Sequence, residues 1–142
     1  MKFALHYEIQ IDPKTPNYEH TAIHEALEQM EFADKMGFDR IWLVEHHFLN
    51  DFSVASASDV FFSALSQRTK NIRMGLGVVI LPYHNPVEVS ERVATLDLIS
   101  NGRVDFGVGR GGPYEQIGFG ADPRDTREMV DESLRMICDM WA

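Results

Sequence analysis

Cysteine is almost absent from this chain of 142 residues: there is one, Cys138. A single thiol cannot form an intrachain disulfide, which fits a reducing compartment and leaves the fold to its hydrophobic core. Long apolar runs are missing too. No stretch approaches the roughly 18 apolar residues that a membrane helix needs. The first residues carry one lysine and read as a strand, without the basic start and apolar centre of a secretory signal. Positive charge is scarce: 13 Lys and Arg stand against 22 Asp and Glu, a formal net charge of −9. Such a chain is repelled at long range by DNA, RNA and anionic membrane, although a local cationic pocket for one phosphate is still allowed. Low-complexity segments and linker-like shifts in composition are also absent. The expectation is a cytoplasmic protein of one domain, residues 1–142, with no nucleic-acid or membrane partner.

What is present is regular alternation. Residues 2–8 read as a strand, and Pro13, Pro16 and Asn17 break it. Ile23, Ala26, Leu27, Met30 and Ala33 recur at helical spacing over 19–36, with Gly37 as the stop. A strand at 40–44 is followed by a loop to Ala57 and a helix over 58–68, whose inward residues are read as Val60, Phe61, Ala64 and Leu65. Residues 72–80 form a third strand, interrupted by Gly75 and Gly77, a pattern that marks a bulge or the close approach of a ligand or another backbone. Asn85-Pro86-Val87-Glu88 opens a third helix that Asn101-Gly102 ends. A fourth strand spans 103–108, a glycine-rich loop 109–121, and a fourth helix starts at Asp122-Pro123 with Val130, Leu134, Ile137 and Trp141 as its stripe. Cys138 falls inside that helix as a small packing residue. The order β-α-β-α-β-α-β-α with short connections means a parallel sheet with right-handed crossovers, either an open doubly wound sheet or part of a barrel.

Chemistry concentrates where one strand ends. Ile41-Trp42-Leu43-Val44 reads as a strand buried on both faces, and Glu45-His46-His47 follow at its carboxyl end. Parallel α/β folds bind ligands at that end. His46 and His47 are adjacent on an extended segment and point apart, so they are poor joint ligands. Even with His6 and His84 the chain has no H-x-H or H-E-x-x-H pattern, and no metal is expected. Residues 107–112 match G-x-G-x-x-G after a strand. In a dinucleotide fold the helix opens inside that motif, whereas here Pro113 follows and the next helix start is read at Asp122. The stretch reads instead as bare backbone that lets a planar ligand approach, with Arg110 offering a forked donor to phosphate.

Four segments together, Ile41 to Phe48, Gly75 to Pro82, Asn85-Pro86 through Leu96-Asp97, and Ser100 to Gly111, resemble the bacterial luciferase-like flavin monooxygenases. The resemblance implies a (β/α)8 TIM barrel, α/β in class, of which this chain holds the first four βα units, a half barrel. It implies FMN in its reduced form at the carboxyl mouth. It makes His46 the catalytic histidine near the reactive carbon of the flavin. Gly77-Val78 becomes a non-proline cis peptide beneath the flavin ring, Arg110 a contact of the flavin phosphate, and Glu45 part of the cofactor site. Gly109 lies beside the flavin where the light-emitting members carry a cysteine, which argues against light emission. The implied activity is oxidation of a small, mostly apolar organic substrate by reduced flavin and dioxygen, with a flavin reductase as the source of reduced FMN. Two rivals share the fold: a deazaflavin-dependent hydride-transfer enzyme, and a non-catalytic flavin-binding accessory subunit. Four units are half of a full barrel. Alternate residues of the four strands are then expected to leave an apolar inner face uncovered, to be closed by a second copy or by a complementary C-terminal half.

Overall fold

The computed structural model describes residues 1–142. Four parallel strands, β1 (Ala4–Tyr7), β2 (Arg40–Leu43), β3 (Arg73–Ile80) and β4 (Val104–Gly109), pair in the order β1-β2-β3-β4. Helices α1 (Tyr18–Lys35), α2 (Ser58–Ser66) and α3 (Pro86–Ser100) connect them, and α4 (Pro113–Gly118) and α5 (Thr126–Trp141) follow β4. Sequential strand order is the arrangement of a barrel arc. It removes the dinucleotide reading of residues 107–112, because a doubly wound sheet reverses its strand order.

The core is a cluster of 20 buried apolar residues between one face of the sheet and the helices. Ile41, Leu43, Met74 and Leu76 point into it from β2 and β3 and are fully buried. From α1 come Ala26, Leu27, Met30 and Ala33, as the spacing predicts. Gly37 takes the left-handed conformation with φ 81°, and Asn101 and Gly102 do the same after α3. Helix α2 is turned from its expected face. Phe62 and Leu65 are buried, whereas Val60 is 68% exposed. Val60, Phe61 and Ala64 instead line an apolar gap beside Ile23 and Leu27 of α1. Cys138 is exposed on α5 and does not pack in the core. The loop expected over 109–121 contains α4. Pro113 at its first turn and the carboxylate of Glu115, which accepts the Gly112 N–H at 2.7 Å, are a helix start of the kind read correctly at Asn85.

The open face of the sheet departs furthest from expectation, because it is not apolar. His6, Trp42, Gly75 and Asp105 share one register level, and Arg40 and Arg73 pair two residues earlier, on the same face. Asp105 accepts from Arg73 Nε at 3.1 and 3.0 Å and from Nη2 at 2.8 Å. Arg40 Nε lies 2.8 Å from Asp105 with its N–H turned off the line of contact, and its guanidinium sits 5.6 Å over the Trp42 ring. The indole explains the strand glycines. A Cβ at Gly75 would overlap the Trp42 ring, and one at Gly77 would stand 3.0 Å from it. The close approach that these glycines permit is therefore made by Trp42. At the β4 edge, Val93, Leu98, Val104, Phe106 and Trp141 wall an apolar cleft of about 490 Å³.

At the amino end of the strands, Asp34 ties the end of α1 to the lead into β3. Its carboxylate accepts the N–H groups of Lys70, Asn71 and Ile72 at 2.9, 3.0 and 2.7 Å. Burial alone would raise its pKa, but the three N–H groups outweigh burial and hold it below the ordinary value. A carboxyl depressed in the folded state contributes stability above its unfolded pKa, and that contribution is lost as pH falls through the folded value. Asp34→Asn is expected to cost about 1 kcal/mol in urea unfolding at neutral pH. The gap between the two proteins should close as pH falls below about 4; a constant gap would remove the carboxylate from this role.

Candidate active site

The carboxyl ends of the strands carry the acids and histidines. Glu45 follows β2 by two residues and is 6% exposed. Its Oε1 accepts from His47 Nε2 at 2.8 Å and from His84 Nε2 at 2.6 Å, and its Oε2 accepts the Ile80 N–H at 3.1 Å. Burial would raise the Glu45 pKa, but the His84 and His47 hydrogen bonds and the Ile80 N–H overcome it, so the group lies below the usual carboxylate range. One buried carboxylate thus joins the end of β2, the end of β3 and the turn that carries His84. The three side chains bring candidate ligand atoms within 4.8 Å of one another. Both imidazoles already share a single carboxylate oxygen, a geometry that hydrogen bonding accounts for in full.

His46 points away from this group, as adjacency on an extended segment requires. Its Nε2 is 2.9 Å from Glu8 Oε2, just past β1. Its Nδ1 is buried without a hydrogen-bond partner, 3.7 Å from Glu115 Oε1. Glu115 is 1% exposed and accepts the His47 N–H at 2.9 Å through Oε1 while Oε2 holds the Gly112 N–H, so it clamps the histidine segment to the glycine loop. Gln116 donates to the carbonyls of Arg110 and Gly111 at 3.1 Å each and fixes the same loop. Glu8, Glu115 and Gln116 were not singled out from the sequence. For Glu115 the signal was there, in the Gly-Pro-x-Glu helix start. For Glu8 there was none, since the contact joins residues 38 apart.

The expected cofactor residues gather at the same mouth. The Gly77-Val78 peptide is cis, and the β3–β4 register shifts between Leu76 and Val79. Gly109 is next to Val78: a Cβ there would stand 2.5 Å from Val78 Cγ2. Arg110 is exposed, and its guanidinium has no ion pair or side-chain hydrogen bond. Aromatic rings add an apolar wall. Tyr83 stacks on Phe119 with centroids 4.6 Å apart, and Phe119 also meets His47 at 4.8 Å and Phe48 at 5.1 Å. The Tyr83 hydroxyl is pushed up to about 12 by burial and by the nearby Glu115, so it stays a neutral donor. A cavity of about 340 Å³ opens beside His46 and His47, with Phe48 and Leu49 in its wall.

The model of the family described as luciferase-like monooxygenase matches residues 1–142. The chain belongs to the luciferase-like monooxygenase family. It is 41% identical over 122 residues to limonene 1,2-monooxygenase of Rhodococcus erythropolis, a match covering 85% of this chain and 31% of that protein. It is 32% identical over 146 aligned positions to the oxygenase component of the flavin-dependent trigonelline monooxygenase of Acinetobacter baylyi, covering 99% of this chain and 39% of that one. The monooxygenase RslO1 of Streptomyces bottropensis superposes with a TM-score of 0.92 at 29% identity, over 100% of this chain and 43% of its own. The chain therefore spans about a third to two fifths of these relatives, and its four-stranded parallel sheet is an arc of the luciferase-like TIM barrel. No helix is long and apolar enough to cross a membrane.

Glu45 makes a direct test of the site's construction. Its folded pKa is depressed, so its contribution is present above the unfolded value and lost below it. Glu45→Gln removes the charge that two imidazoles share. It is expected to lower stability at neutral pH by roughly 2 kcal/mol. The His47 and His84 ring signals in NMR spectra should move together; movement of only one would break the shared-acceptor picture.

Proposed function

We propose that this chain is the N-terminal half of the barrel of a flavin-dependent monooxygenase that works in a reducing cytoplasm and oxidises a small, mostly apolar organic substrate. The observation that carries the reading is the convergence, at one barrel mouth, of His46, the Gly77-Val78 bulge, Gly109 and a partnerless Arg110. These residues fit a flavin. An exposed guanidinium without a protein partner suits a phosphate, which it can grip with two parallel N–H bonds. Gly109 packs directly against Val78 at this mouth, and Glu45 supports the same wall through His47 and His84. A reduced FMN, when bound, supplies the electrons that activate dioxygen.

The chain's own residues then hold, orient and manage protons. His46 is the one group at the mouth with a buried, partnerless ring nitrogen, and an imidazole nitrogen can both give and accept a proton, so it exchanges the proton that the oxidation requires. Phe48, Phe119 and Tyr83 make an apolar wall suited to the substrate and help to keep water from the reacting atoms. The oxygenase-component name of the trigonelline relative supports a separate flavin reductase as the source of reduced FMN. The apolar cleft at the β4 edge supports completion by a C-terminal half or a second copy.

The test uses the completed barrel. Reduced FMN and a reduced deazaflavin are supplied separately under air with a panel of apolar substrates, and oxygen uptake and product are followed. FMN should support both; turnover with the deazaflavin alone would replace the monooxygenase by a hydride-transfer enzyme. Binding of FMN without oxygen uptake would make the chain an accessory subunit. In the FMN-active enzyme, His46→Ala should lower turnover by roughly 10²-fold. Unchanged turnover would remove His46 from the chemistry.

A further inference from the structure

The His46 ring has a carboxylate near each nitrogen, and neither comes from its own segment. Glu8 Oε2 is 2.9 Å from Nε2, a hydrogen bond. Glu115 Oε1 is 3.7 Å from Nδ1, too far for one. Glu115 is also committed elsewhere, because its two oxygens hold the His47 and Gly112 N–H groups. Glu8 is delivered by a built connection. Residues after β1 run antiparallel to the loop after β2, with a bridge between Gln10 and Ser53. The Ile11 N–H donates to Phe52 O at 3.1 Å, the Val54 N–H to Ile9 O at 3.3 Å, and Ser53 Oγ to the Glu8 carbonyl. The His46 N–H donates to Ala55 O at 2.7 Å, so the same loop fixes the histidine backbone. Phe52 from this loop approaches the imidazole edge-on with centroids 6.2 Å apart. Besides Glu8 and Glu115, the neighbourhood holds His6, whose Nδ1 is 3.9 Å from Glu8 Oε1, and Glu19, which lines the cavity beside His46.

An ionised carboxylate can only accept a hydrogen bond. The Glu8 contact therefore requires the proton of a neutral His46 to be on Nε2, which leaves the lone pair on Nδ1, the buried nitrogen that has no partner. We propose that Glu8 is a positioning residue that fixes His46 in the Nε2–H tautomer, making Nδ1 the nitrogen that takes up a proton. When it does, the Nδ1 lone pair becomes an N–H bond, and the imidazolium lies between Glu8 and Glu115. Carboxylates that select the tautomer of a working histidine do the same elsewhere. The proposal rests on His46 as the proton-handling group, but its primary readout requires neither flavin nor turnover.

The experiment is NMR of the chain with ¹⁵N-labelled histidine, recording nitrogen–carbon-proton correlations of the His46 ring in alkaline buffer. The native chain should show protonated Nε2 and unprotonated Nδ1. Glu8→Lys puts a donor where an acceptor stood and should reverse the pattern to Nδ1–H. Glu8→Gln, of nearly unchanged shape, should give a mixture. A native ring protonated on Nδ1, or an Nε2–H pattern that persists in Glu8→Lys, would overturn the proposal. In the completed enzyme Glu8→Gln should lower kcat about tenfold with KM for the organic substrate held, as expected for a misplaced general acid–base group. A tautomer that switches as expected in a protein that consumes no oxygen would upset the monooxygenase reading and leave the role of Glu8 intact.

Discussion

The mouth of this half barrel depends on one buried charge. Glu45 is placed by the strand that buries Ile41 and Leu43, and it cannot retreat to solvent. A carboxylate taken out of water is costly unless its lone pairs are met. Here they are met by two imidazoles and one backbone N–H, drawn from the His46-His47 segment, the end of β3 and the turn after it. These elements are held at fixed separations because each must reach the same two oxygens. Moving His47 or His84 would leave a buried charge with an empty lone pair. The site's geometry is thus set by satisfying a charge, and the catalytic candidate His46 inherits its position from its neighbour's bond.

The open face of the sheet has a second division of labour. Toward the amino ends of the strands, Arg40, Arg73 and Asp105 form a charged layer with the Trp42 ring against it. At the carboxyl ends are the histidines and the glycine loop. Between them, the indole uses the room that Gly75 and Gly77 leave. In a complete barrel such side chains fill the interior in layers and the carboxyl mouth carries the chemistry. A charged, aromatic interior also limits how much apolar surface an unpaired half exposes there, while an apolar cleft stays open at the β4 edge beside Trp141.

Much of this was legible in the sequence, and for local reasons. Apolar spacing of 3.6 residues in α1 and a four-residue apolar run in β2 are set by what each element must bury, so the βα order could be read directly. The four motif segments carried the family, and with it the bulge at Gly77-Val78, since these features lie within short stretches of chain. What could be read less well was orientation. Helix α2 offers apolar residues on more than one face, and only its packing against the sheet selects Phe62 over Val60. Helix α4 was hidden because a glycine-rich run reads as loop, although Pro113 and Glu115 mark its start.

By itself the sequence determined every strand and every helix but α4, their order, the family, and the placement of an acid and two histidines at the end of a buried strand. Tertiary structure alone decided which acid meets which histidine. Glu8 and His46 are 38 residues apart, and the Glu115 carboxylate and the His47 N–H are 68 apart. Such pairings leave no period in the chain, because they are fixed by strand register and by the stitching of one loop to another. The sheet's open face was decided the same way. A one-residue alternation puts Ile41 and Leu43 under the helices and Trp42 in the interior, and register then sets Arg73 and Asp105 within reach of each other.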